Sequence, residues 1–255
     1  MFLFTAMTKV AVVTGSNKGI GLSIVRALCK QFEGDVYVTA RDKTRGEEAV
    51  KTLASEGLKS KFHQLDINDI NSIIKAAAFF KDTYGGVDVL VNNAGIAFKG
   101  DSSDQLLYLK LLVVNISSFM ASRTLNQCSK ELQARFRSED ITEDELVELM
   151  KRFVEKTKSD QHKEDGWPQT AYGVSKTGLT VLSMILARRL SKERPQDNIL
   201  LNACCPGWVR TDMAGDKAPK SPDEGAITPV YLALLPPGAT EPHGRFVSDK
   251  EVQKW

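Results

Sequence analysis

No run of 18 or more apolar residues occurs in this 255-residue chain, so no segment reads as a bilayer-crossing helix. Charge of one sign is also scarce. The 34 basic and 32 acidic side chains leave a net charge of +2, which gives no reason to expect nucleic acid or a membrane surface as partner. Cysteine is sparse: Cys29, Cys128, Cys204 and Cys205 are the full set. Their spacing suits no metal, and adjacent Cys204-Cys205 is a poor disulfide pair. Reduced thiols in a cytoplasmic protein are therefore expected, with Cys205 a buried, inert thiol and no metal site. There is no internal repeat and no low-complexity stretch. The apolar start Met1-Phe2-Leu3-Phe4-Thr5-Ala6 lacks a basic residue and runs straight into the first strand. It is expected to be an extension rather than a signal peptide, with Met7 an alternative start.

What is present is enough hydrophobic material, 42% of residues, for one large α/β core. Apolar runs and helical patterns alternate. Strands are predicted near 10–14, 35–40, 60–65, 87–92, 111–117, 198–204 and 244–247. Helices are predicted near 19–32, 43–55, 69–82, 170–192 and 222–234. This βαβα order predicts a single doubly wound parallel sheet with helices on both faces.

Ala171-Tyr172-Gly173-Val174-Ser175-Lys176 carries the most chemistry. Residues four apart on a helix lie on one face, so Tyr172 and Lys176 are neighbours. An ammonium beside a phenol favours the phenolate, which makes the phenol a proton donor usable near neutral pH. Near the start, Val10-Ala11-Val12-Val13-Thr14-Gly15-Ser16-Asn17-Lys18-Gly19-Ile20-Gly21 reads as a buried strand, a glycine turn and a helix start. Glycines let backbone approach a pyrophosphate, and the free N–H groups of a helix start favour negative charge. Asp35-Val36-Tyr37-Val38-Thr39-Ala40 is the second strand, and Arg41 follows it. An acidic residue there would bind a ribose 2′-OH, whereas arginine accommodates a 2′-phosphate. Arg41 with Lys18 predicts NADPH over NADH. Asp42 is the opposing signal and is expected to point away.

Thr14-Gly-x-x-x-Gly19-x-Gly21, Asn92-Asn93-Ala94-Gly95, Asn115-Ile116-Ser117-Ser118, Tyr172-x-x-x-Lys176 and Pro206-Gly207 occur in this order. The series resembles the short-chain dehydrogenases/reductases, and within them the carbonyl reductases. Phe62-His63-Gln64-Leu65-Asp66, Asp165-Gly166-Trp167-Pro168 and Asn202-Ala203-Cys204-Cys205-Pro206-Gly207-Trp208-Val209-Arg210-Thr211-Asp212-Met213 strengthen that likeness. The resemblance implies one Rossmann-like NADP-binding domain over residues 1–255. It implies NADPH bound by Gly15, Asn17, Lys18, Gly19, Ile20, Gly21, Arg41, Asp66, Ile67, Asn93, Gly95, Tyr172, Lys176, Pro206, Gly207, Val209 and Thr211. By resemblance Ser118, the second of the pair, would hold a substrate oxygen that Tyr172 protonates; in a strand Ser117 and Ser118 would face opposite sides, so only one could serve. Lys176 would contact the nicotinamide ribose. Trp208 and Met213 would wall a pocket for small hydrophobic ketones, aldehydes or quinones. A pteridine-type reductase shares these motifs.

Two features depart from the common pattern. Ser118 and Tyr172 are separated by an insert at about 119–169, in which Thr142-Glu143-Asp144-Glu145 forms a capping box. Leu146, Leu149, Met150, Phe153 and Val154 follow at helical spacing. By resemblance this insert covers a face used elsewhere for tetramers, which predicts a monomer. Between Phe98 and Leu111 only residues 99–110 remain, where the family places a crossover helix bearing a fourth catalytic residue, an asparagine. One crossover helix is therefore expected to be missing, with a destabilised, poorly active or merely nucleotide-binding protein as the alternative outcome.

Overall fold

The computed structural model describes residues 8–94 and 111–255. Its sheet is assembled from β1 (Val10–Val13), β2 (Asp35–Ala40), β3 (Lys61–Gln64), β4 (Val89–Asn92), β5 (Leu112–Ile116), β6 (Leu200–Cys205), β7 (Phe246–Ser248) and β8 (Glu251–Val252). Their order across the sheet is β3-β2-β1-β4-β5-β6-β7-β8, parallel except for the last pair. The two-residue β8 has no periodic signal and escapes sequence reading. Topology reverses between β1 and β4, and in open α/β sheets ligands bind outside the carboxyl ends of the strands at such a point.

The helices are α1 (Gly19–Gln31), α2 (Lys43–Ser55), α3 (Ile70–Tyr84), α4 (Phe119–Leu125), α5 (Lys130–Arg137), α6 (Glu143–Lys158), α7 (Ala171–Glu193) and α8 (Pro222–Ala233). Sequence reading treats 119–169 as one helical insert. It is three helices, because Ser129 and Thr142 each start a new one by accepting a backbone N–H from the helix. The predicted capping box is present: Thr142 Oγ1 accepts from Glu145 N at 3.2 Å, and Glu145 Oε2 accepts from Thr142 N at 3.0 Å. Leu146 and Phe153 face inward as expected. Val154, expected on the same stripe, is 49% exposed, since it lies beyond the edge of the face that meets α7.

One face of the sheet carries α1, α2 and α8 over a continuous buried cluster that includes Val13, Ile24, Leu28, Val38, Leu53, Val114, Cys204 and Val247. On the other face, among the described residues, the buried side chains fall into separate groups. Val10, Val12, Tyr37, Ala76, Phe80 and Tyr84 pack under α3. Leu111, Val113, Ala187, Ile199 and Leu201 pack under α7. Ile70 and Ile74 of α3 are 46% and 58% exposed, while Leu186 and Leu190 of α7 are half-buried. The expected shortening between Phe98 and Leu111, and with it the question of the missing helix, lies outside the described residues. A third cluster, including Leu125, Phe136, Leu146, Phe153, Trp167, Val174 and Val181, binds the insert to the flank of α7.

Candidate active site

The glycine turn is held open by its neighbours. Gly15 and Gly19 have φ of +58°, a conformation glycine adopts without penalty. A Cβ on Gly21 would stand 2.5 Å from Asn93 Nδ2 and 2.8 Å from Ser16 Cα. Thr14, quoted in the motif but given no role by sequence, ties the turn to the strand across the switch point. Its Oγ1 accepts from Asn93 N at 3.1 Å and Ala94 N at 3.0 Å. Asn93 Nδ2 donates to the carbonyls of Thr14 and Gly15 at 2.9 and 3.0 Å, so this side chain fixes the turn. Gly95 lies outside the described residues.

Seven of the eight α-helices among the described residues have an N-cap side chain accepting a backbone N–H; α1, with Lys18 at its N-cap, has none. Its first turn also contains no acid. The glycine-bearing start of α1, approached by Asn17, Lys18 and half-buried Ile20, thus has backbone donors suited to a pyrophosphate. Arg41 is exposed, and its guanidinium has no ion-pair partner among the described residues. Asp42, as expected, points elsewhere: its Oδ1 accepts from Arg45 N at 2.9 Å and caps α2. Asp66 and Ile67 follow β3 and are half-buried, with Asp66 Oδ1 accepting from Asn68 N at 3.0 Å. These features fit a dinucleotide bearing a 2′-phosphate.

The reacting end is built by β5, α4 and α7. Neither serine lies in the strand, which ends at Ile116, so the expected alternation of their side chains across a strand does not apply. Their partners separate them instead. Ser117 is buried, 2.7 Å from Thr180 Oγ1 and donating to the Lys176 carbonyl at 3.2 Å. Ser118 caps α4: its Oγ accepts from Met120 N at 3.1 Å, which leaves its O–H to donate elsewhere. A Cβ on Gly173 would stand 1.9 Å from Thr124 Oγ1, so this glycine lets α4 and α7 meet beside Tyr172. Thr170, also missed by sequence reading, caps α7 through Gly173 N at 3.1 Å.

Lys176 Nζ donates to the Ile116 carbonyl at 2.8 Å and lies 5.8 Å from the centroid of the Tyr172 ring. Burial pulls the Lys176 pKa below the usual lysine value. The Tyr172 ring is 46% exposed, which leaves the phenol accessible to a ligand. Asn115 is no free substitute for the family asparagine, since it is bonded to Asn92 and Ser183 at 2.8 Å each. Cys205 is buried, its Sγ accepting from Phe119 N and Gly207 N, and burial raises its pKa, as suits an inert thiol.

A third segment, 206–220, crosses the carboxyl ends of the strands. Gly207 has φ of +87°, and a Cβ there would meet Lys220 Cδ at 2.8 Å. Val209 is buried against Gly225 of α8, whereas Trp208 and Met213 are 51% and 77% exposed. Thr211 reaches the glycine turn, its methyl 3.5 Å from where a Gly19 Cβ would stand.

The sequence model of the short chain dehydrogenases matches residues 9–222. The chain belongs to that family. It is 58% identical to the human protein named carbonyl reductase [NADPH] 1 over 271 aligned positions, covering 96% of this chain and 98% of the relative. The rat protein of the same name is 56% identical over the same shares. Because 96% of 255 residues is about 245, roughly 26 of the 271 aligned positions have no residue in this chain. Among solved structures, salutaridine reductase from Papaver somniferum superposes with a TM-score of 0.81 at 28% identity, covering 94% of this chain and 99% of that one.

Proposed function

We propose that this chain reduces ketones, aldehydes and quinones to alcohols with NADPH, Tyr172 being the proton donor. The observation that carries the reading is the Lys176 ammonium, pinned by the Ile116 carbonyl and 5.8 Å from the Tyr172 ring, in a chain 58% identical to a carbonyl reductase over nearly its whole length. NADPH, when bound, supplies the hydride. Gly15, Asn17, Gly19, Ile20 and Gly21 cradle its pyrophosphate, and Arg41 and Lys18 receive the 2′-phosphate. Asp66, Ile67 and Asn93 would line the adenosine. Pro206, Gly207, Val209 and Thr211 close over the opposite end, where Lys176 also binds the ribose.

Ser118 donates a hydrogen bond to the substrate oxygen, and Tyr172 gives that oxygen its proton as charge develops there. The buried ammonium of Lys176 supports the phenolate that results. Trp208 and Met213, largely exposed, form an apolar wall for a hydrophobic carbonyl compound. The pteridine-type and non-catalytic readings gain nothing from the described residues or the relatives. The chain works as a monomer in the cytoplasm: α6 covers α7 so closely that a Cβ on Gly178 would stand 2.9 Å from Met150 Sδ, and all four cysteines are free thiols.

The test is turnover of an aromatic ketone by the purified chain with NADPH and then NADH, alongside a thermal melt with each cofactor. NADPH-dependent turnover and a melting-point rise with NADPH alone are expected. A folded protein that binds NADPH but reduces no carbonyl compound would refute the enzymatic reading.

A further inference from the structure

Lys18 and Asp212 stand 194 residues apart, one on the glycine turn and one on the 206–220 segment, and form an ion pair. Asp212 is placed there by its own loop. The loop base is laced by Arg210 N donating to the Lys220 carbonyl at 2.8 Å and by Lys220 N donating to the Trp208 carbonyl at 3.1 Å. Arg210 Nη1 donates to the carbonyls of Ala218 and Pro219 at 3.0 and 2.7 Å. At the tip, Ala214 N and Gly215 N donate to the Thr211 carbonyl at 3.1 and 2.8 Å. The loop therefore has a defined shape without Lys18. Neither member of the pair has another ion-pair partner among the described residues. Lys18 lowers the Asp212 pKa through that hydrogen bond.

Resting on the NADPH reading above, we propose that Asp212 competes with the cofactor's 2′-phosphate for the Lys18 ammonium and so moderates NADPH affinity without touching NADH affinity. A phosphate approaching Lys18 meets a carboxylate that already holds it, and must share the ammonium or displace Asp212. Both side chains are well exposed, 65% for Lys18 and 78% for Asp212, so the exchange needs no unfolding. Arg41 has no such competitor among the described residues. Asp212 is thus a positioning residue for specificity: it acts on the cofactor through Lys18.

The experiment is direct calorimetric titration of NADPH and of NADH into the wild type, Asp212→Asn, Lys18→Ala and the double variant. Asp212→Asn is expected to tighten NADPH about two- to fivefold, the range of an exposed ion pair, and to leave NADH unchanged. The gain should vanish in the Lys18→Ala background, and Asp212→Glu should bind like wild type. Weaker NADPH binding by Asp212→Asn, an equal change for both cofactors, or a gain that persists without Lys18 would each overturn the proposal. A wild type that binds NADH as well as NADPH would overturn the cofactor reading and the competition together. A wild-type preference for NADPH with no effect of Asp212→Asn would overturn the competition alone.

Discussion

The two faces of the sheet support different parts of the molecule by different means. Under α1, α2 and α8 the buried side chains form one cluster that runs across the sheet from β2 to β7. Across the sheet, among the described residues, the groups under α3 and α7 meet only through half-buried Val87 and Leu90. The glycine turn grows out of the continuous face. Tyr172 and Lys176 belong to the divided one, and α7 draws its support from the flank, where Phe153, Trp167 and Val174 pack together. The cofactor end therefore depends on the common core of the fold, and the reacting end depends on the insert.

The largest expected effect separates chemistry from support. Tyr172→Phe removes the proton donor but little buried surface, so kcat/KM should fall by about 10²–10⁴ while the melting point holds. A fall in melting point of many degrees would show that Tyr172 also braces α7.

Next come truncations on the two sides. Leu28 is fully buried in the continuous cluster, and Leu28→Ala should cost about 2–5 kcal/mol in denaturant unfolding with kcat nearly unchanged in the folded fraction. Phe153→Ala, in the insert cluster, should cost about 3–5 kcal/mol and lower kcat as well, because it loosens the flank of α7. Leu186→Ala, half-buried on the divided face, should cost the least of the three. Equal effects on kcat from Leu28→Ala and Phe153→Ala would erase the contrast between the faces.

Much of this was legible in sequence because the signals are local. Apolar runs mark the parallel strands, and glycine, Y-x-x-x-K and capping-box spacings survive without tertiary information. That Asp42 points away from Arg41 is an expectation for which the sequence gives no reason; the structure supplies it, since Asp42 caps α2 through Arg45 N. Relations across the chain were not legible. Thr14 bonding Asn93, Gly173 admitting Thr124 and Asp212 meeting Lys18 depend on loops that the topology brings together from far apart. For the serine pair, the strand geometry expected from sequence is absent because β5 ends at Ile116, and hydrogen-bond partners are what tell the two apart.

The reacting end should also show itself in pH dependence. Burial depresses the Lys176 pKa in the folded chain. Between that depressed value and the ordinary lysine value of about 10.4, the unfolded chain binds more protons than the folded one. Burying the ammonium thus costs stability at lower pH, and that cost is relieved as pH rises through this window. Activity runs the other way. The role proposed for Lys176 needs its proton, so kcat/KM should fall as pH rises through the depressed value. Lys176→Arg, which keeps its charge, should move that limb to higher pH at a lower rate. A limb that stays in place would assign it to another group.

The smallest expected effect probes the cofactor end alone. Asp42 Oδ1 is bonded to Arg45 N, so Asp42→Ala should cost about 1 kcal/mol of stability, the usual worth of an N-cap. Because that carboxylate is committed to α2, removing it should leave the ratio of NADPH to NADH dissociation constants where it was. This contrasts with Asp212, whose loss is expected to change the ratio with little change in stability. The two aspartates lie in different segments, Asp42 bonded to Arg45 N and Asp212 to the Lys18 ammonium. One caps a helix by accepting a backbone N–H, and the other faces an ammonium that a phosphate also attracts. If Asp42→Ala shifts the cofactor ratio as well, the selectivity comes from the summed charge around Arg41 and Lys18 and not from the pairing of individual groups.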